Sequence, residues 1–281
     1  MALNAAQRPA PPLPALQRKD LWWMSPMVFV AVFTAFSIWV TFRAFQGDFY
    51  STIRQDVLTH LFSANGWLIP NYLSPLYSPT LDPKWILMGY HVSPALYILV
   101  FPLSFRLSCY YYRKAIYRGY LADPMACAVK EPAPLDKMRR GKYTGERTVP
   151  FIAMNFHRFA FYAAVVFIVV LWKDTIDAFF FMSPDGSWHF GVHLGSLVFL
   201  VNILLLTVYT FSCHSWRHLI GGSTDCYSCT AMSRTRHGVW NKVSFLNEKH
   251  GTWAMASLVS VALTDVYVFL VTTGLLKGAW F

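Results

Sequence analysis

The chain has 281 residues, of which 55% are hydrophobic, 17% aromatic and only 14% charged, and its mean hydropathy is +0.36. That is too apolar for an ordinary water-soluble domain and describes an all-α polytopic protein surrounded by membrane lipid. A net charge of +10 would suit a nucleic-acid binder, but the basic residues are interleaved with long apolar runs, which argues against nucleic acid as a partner.

Residues 1–20 contain four prolines and few large apolar groups, so they are expected to form a disordered tail with no cleaved signal. Residues 21–281 are then expected to form one membrane domain. Trp22 and Trp23 lead as interfacial anchors into a first span of about 24–45. A loop rich in Pro, Ser and Tyr, from Gly47 to Lys84, is expected to lie against the membrane surface. A second span follows at about 85–112, and after it a long polar segment with the basic cluster of residues 137–142. Further spans are expected at about 151–178, 190–214 and 250–276, the last two joined by a basic loop. Each of the five is long enough for the roughly 20 residues that cross a hydrocarbon core. No internal repeat is evident.

Positive charge sets the expected orientation. The N-terminal tail, residues 106–147, Arg158 and residues 217–249 fall on one side if the spans alternate. They hold all but five of the 24 Lys and Arg, the exceptions being Arg43, Arg54, Lys84, Lys173 and Lys277. The N-terminus is therefore expected to be cytoplasmic and the C-terminus external.

That orientation gives each intramembrane polar group a height. At about 1.5 Å per residue, Cys109, His157, Cys213 and His250 each lie about 15–20 Å cytoplasmic of their span's midpoint. Four successive helices thus offer one ligand each at one level. In a four-helix bundle in chain order, Cys109 is diagonal to Cys213 and His157 to His250. Two thiols and two imidazoles form the ligand set of a Rieske-type [2Fe–2S] centre, although the short-loop spacing of soluble Rieske domains is absent. A haem b is the competing account: His157 with His250 or His214 on the cytoplasmic side, and His91 with His193 near the outer side. Inert packing of thiols at helix ends is the third. Five cysteines, the others being Cys127, Cys226 and Cys229, fit cofactor ligation or burial better than a disulfide framework. Cys226-Tyr227-Ser228-Cys229 lacks a second ligand pair and is expected to be a loop feature. Ser215, Trp216, Arg217 and Trp253 have the depth and chemistry to bind a quinone headgroup. Asp265, Asp174 and Asp177 are costly carboxylates within or near spans, suited to proton transfer or to local pairing, for example of Asp174 with Lys173.

Several strings, taken in order, resemble the membrane-anchor subunit of succinate dehydrogenase, of the single-anchor type found in actinobacteria. They are residues 72–79 (YLSPLYSP), 93–95 (SPA), 105–114 (FRLSCYYYRK), 155–158 (NFHR), 213–218 (CHSWRH), 246–250 (LNEKH) and 263–267 (LTDVY). The resemblance implies a respiratory complex II subunit that docks a flavoprotein and an iron–sulfur subunit on the cytoplasmic face. It does not itself oxidise succinate; it passes electrons to membrane menaquinone or ubiquinone. The resemblance also implies an embedded Rieske-type cluster on Cys109, His157, Cys213 and His250, related anchors carrying haem b, and it leaves room for a higher oligomer. Cys226, Cys229, His91 and His193 fall outside the family's pattern. A transporter would instead show repeats and midplane polar groups, and a purely structural assembly protein would not need these Cys and His residues.

Overall fold

The computed structural model describes residue 21 and residues 24–53, 68–80, 86–87, 90–91, 93–120 and 156–276. The expected tail, Trp22, Trp23, Cys127 and the 137–142 cluster lie outside the described residues. Four helices are long and apolar enough to cross a membrane: α1 (Met24–Gln46), α5 (His157–Asp177), α6 (Leu194–Phe211) and α9 (His250–Thr272). Large apolar side chains such as Ile38, Phe45, Val166, Val169 and Leu263 point outward from them, as lipid-facing surfaces require.

The expected five spans are corrected at the second. In place of one helix over 85–112, a two-stranded hairpin, β2 (Ile86–Leu87) with β3 (Tyr90–His91), precedes α2 (Pro94–Ile98), α3 (Val100–Ser108) and α4 (Tyr110–Tyr120). Pro94 opens α2, where its missing N–H costs nothing. Pro102 cannot donate to the carbonyl of Ile98, and the helix is interrupted there. The apolar run Pro94–Ser108 therefore extends only about 22 Å, short of a hydrocarbon core of about 30 Å. The loop expected over 217–249 is also corrected, because it contains α7 (His214–Gly221) and α8 (Ala231–Glu248), which pack on each other.

The bundle is a ring. Helix α3 packs on α5, α5 on α6, and α6 on α9, while α1 lies against α2, α4 and α9. Each helix in the ring thus has its neighbours in chain order, and α3 faces α6 diagonally, as expected. At one end, the described part of the loop after α1 packs on the bundle. Tyr72, Leu76 and Tyr77 are buried, and β1 (Ile69–Pro70) pairs antiparallel with β4 (Phe180–Met182), which pairs with β5 (Trp188–Phe190).

A buried ion pair ties that end together. Arg43 and Asp265, both fully buried, lie 3.0 Å apart. The carboxylate also accepts from Trp39 Nε1 at 2.7 Å and from Ser74 Oγ. The guanidinium also donates to Gln46 and to the carbonyls of Asp48 and Phe49 at 2.9 and 3.0 Å. One carboxylate on α9 thereby fixes both the end of α1 and the loop beyond it. Asp174 accepts from Ser78, while Lys173 pairs with Asp177 rather than with Asp174.

Two outcomes test this account. Asp265→Leu should leave the Arg43 charge buried and lower stability by about 3–5 kcal/mol, and adding Arg43→Met should recover part of that loss, both read from thermal unfolding of the detergent-solubilised protein. Gly195 sits against the phenol of the fully buried Tyr72, which stacks on Phe199. Gly195→Ala should therefore cost about 1–3 kcal/mol by overpacking, whereas Gly186→Asn, at an open turn with φ +83°, should cost less in the same assay.

Candidate functional site

At the other end of the bundle, α3 stops at Ser108, directly before Cys109, and α6 at Phe211, two residues before Cys213, and a new helix begins after each cysteine. Cys109 (φ −68°, ψ 133°) separates α3 from α4, and Cys213 (φ −64°, ψ 145°) caps α7, its Sγ accepting from Ser215 N at 3.4 Å. Extended backbone at a single residue turns the chain and aims both thiols into the bundle, where they are 2% and 1% exposed. His157 and His250 are the first residues of α5 and α9, which return from the same end. The four expected ligands therefore come together.

They meet as two crossed pairs. His157 Nε2 is 3.0 Å from Cys213 Sγ, and His250 Nε2 is 3.6 Å from Cys109 Sγ. The other ring nitrogen of each histidine meets a serine: His157 Nδ1 lies 2.9 Å from Ser108 Oγ, and His250 Nδ1 lies 2.7 Å from Ser212 Oγ. A hydroxyl has one proton to give. Ser108 gives its proton to the carbonyl of Ser104 at 2.6 Å, and Ser212 gives its own to the carbonyl of Tyr209 at 3.1 Å. Each serine can then only accept from the imidazole, so Nδ1 carries the proton in both rings. Both Nε2 lone pairs are left facing sulfur, an arrangement suited to accepting a thiol proton or to binding a metal.

The surroundings repeat as well. Phe105 stacks on His157 with centroids 4.8 Å apart, and Tyr209 stacks on His250 at 5.0 Å. Phe105 and Tyr209 each precede their cysteine by four residues, and Arg113 and Arg217 each follow theirs by four. The backbone N–H of each arginine donates to the carbonyl of its cysteine, at 3.0 and 3.1 Å. Residues 105–113 and 209–217 are thus two copies of one unit, aromatic-x-x-Ser-Cys-x-x-x-Arg, each holding the histidine that starts the following span. Sequence reasoning saw no repeat and missed both serines. The signal was the doubled Ser-Cys dipeptide, four residues after a ring and four before an arginine.

Among the described residues, no three His, Cys, Asp or Glu side chains surround a single point. The grouping is two pairs and not a mononuclear site. His214 is exposed beside it on α7. His91 lies on β3 and His193 caps α6 against the ring of Phe181 at 4.1 Å, both remote from the cysteines along their elements. Trp216 stacks on Phe161 at 6.0 Å, and Trp253, one turn past His250, has a buried Nε1 with no hydrogen-bond partner among the described residues. Arg217 is turned toward α8, donating to Ser244 Oγ at 2.8 Å and lying 4.5 Å over Trp240. Cys226 and Cys229 form a disulfide with each other, so the expected plain loop is a closed four-residue ring.

Comparison with known proteins places the chain in a family. The family model described as actinobacterial succinate dehydrogenase subunit SdhC matches residues 24–274. No curated protein matches the chain. Among solved structures, the chain is similar to one from the Mycobacterium smegmatis Sdh1 complex in the apo form. The two share 37% identity with a TM-score of 0.73, over 96% of this chain and 95% of that one. The chain therefore belongs to the actinobacterial succinate dehydrogenase SdhC family, and it is the non-catalytic membrane-anchor subunit of that oxidoreductase.

Proposed function

We propose that this anchor passes electrons to membrane quinone through a Rieske-type [2Fe–2S] centre held by Cys109, His157, Cys213 and His250. The observation that carries the reading is the pair of Ser–His–Cys contacts, which present two buried sulfurs and two unprotonated Nε2 atoms at the same end of the bundle. Two cysteines with two histidines is the Rieske donor set. An Nδ1–H donated to a fixed acceptor is how protein environments hold a ligating imidazole in one tautomer. When bound, the centre would supply one-electron transfer.

The chain's residues do the remaining work. Ser108 and Ser212 orient the rings, and Phe105 and Tyr209 pack against their faces and keep water away. Cys213 caps α7, and its sulfur accepts from the main-chain N–H of Ser215. Trp216 and Trp253 line the same end, and the buried Nε1–H of Trp253 is a donor suited to a quinone carbonyl. Flavoprotein and iron–sulfur subunits would dock at this end, where α4, α7 and α8 lie and most of the positive charge falls. That makes it the cytoplasmic side of a bacterial cell membrane.

Spectra of the dithionite-reduced complex test the reading. A Rieske-type EPR signal is expected, lost in Cys213→Ala and in His157→Ala. Ser108→Ala and Ser212→Ala should each weaken iron retention by about 10–100-fold, measured as iron per complex after challenge with a chelator. A b-type haem band in place of the signal would show that His157 and His250 serve a porphyrin. Absence of both would leave the cysteines and histidines as packing.

A further inference from the structure

Among the described residues two arginines are buried in the bundle, and their surroundings differ. Arg43 has the carboxylate of Asp265. Arg106, 7% exposed, has only neutral acceptors: Tyr112 Oη, the carbonyl of Ala254 at 3.3 Å and Ser257 Oγ at 3.3 Å. Its guanidinium also lies 5.6 Å over the ring of Tyr112 and 5.0 Å over that of Tyr209. Among the described residues no carboxylate pairs with it. Neutral hydrogen bonds and ring faces offset only part of the desolvation of a guanidinium, which does not lose its proton in a protein. A cation left this way calls for negative charge nearby.

What lies nearby is the cysteine–histidine group. Arg106 is three residues before Cys109, whose N–H donates to the Arg106 carbonyl at 3.1 Å. Tyr209, against which the guanidinium packs, is the ring stacked on His250. The matching position in the other copy of the repeat is Thr210, so this buried guanidinium has no counterpart there.

We propose that Arg106 is the fixed counter-charge of the redox centre and raises its reduction potential by favouring the electron-bearing state. The inference rests on the [2Fe–2S] reading above. With two thiolates and two neutral imidazoles, two ferric ions and two sulfides make a neutral centre. One electron accepted from an iron–sulfur carrier of the neighbouring subunit gives it a charge of −1, and the same electron then leaves for quinone. Arg106 keeps its proton and its charge throughout, so it acts by position and takes part in no bond.

The test is a potentiometric titration of the EPR signal in the assembled complex. Arg106→Gln should shift the reduction equilibrium at least tenfold toward the oxidised state, a fall of 59 mV for one electron, while Arg106→Lys should keep most of the wild-type potential. Ser257→Asp, which sets a carboxylate beside the guanidinium without removing it, should lower the potential in the same direction and serves if Arg106→Gln does not assemble. A wild-type potential in either charge-cancelling variant, with the signal at full intensity, overturns the role of Arg106. No Rieske-type signal in the wild-type complex overturns the cluster reading instead, and the proposal with it.

Discussion

Most of the site depends on how a serine spends its one proton. Because Ser108 and Ser212 give theirs to main-chain carbonyls of their own helices, each can only receive from the imidazole it meets. The tautomer of both histidines follows, and with it the direction of both Nε2 lone pairs. Nothing in an isolated histidine prefers that arrangement. It is imposed by where α3 and α6 end, and those ends are set by a cysteine in extended conformation directly after each serine. Helix termination, ring orientation and the aim of each Nε2 lone pair are thus one event, and it occurs twice.

The two ends of the bundle handle buried charge differently. At the loop end, Arg43 and Asp265 neutralise each other, and the spare donors of the guanidinium close the turn after α1. The result is a structural joint, with the charge cancelled within the protein. At the other end, Arg106 is held by neutral oxygens and ring faces. A membrane protein keeps such a cation only where some other group answers it, and the nearest polar cluster is the one built from Cys109, Cys213, His157 and His250.

Much of this was legible in the sequence. Long apolar runs located four spans to within a few residues, and counting residues from each span's midpoint placed one cysteine or histidine from each of four helices at one depth. The second span was misread because its hydropathy ignores Pro94 and Pro102, which trim the helix and leave residues before it to form a hairpin. The basic stretch after Arg217 read as a loop because the charge and small residues of α8 hide its helical period. Ser108 and Ser212 went unnoticed for a physical reason: a serine at a helix end is common, and only the position of a ring from a distant span gives it meaning. The expected pairing of Lys173 with Asp174 is replaced by one with Asp177, which lies at i,i+4 on α5.

The crossing of the pairs bears on biogenesis. His250 meets Cys109, 141 residues earlier in the chain, so neither copy of the repeat encloses a complete set of contacts. A nascent chain with only the first three long helices in the bilayer still lacks the imidazole that faces Cys109. Completion of this end of the protein must therefore wait for α9, so the order in which spans leave the translocation machinery sets the earliest moment at which both pairs can form.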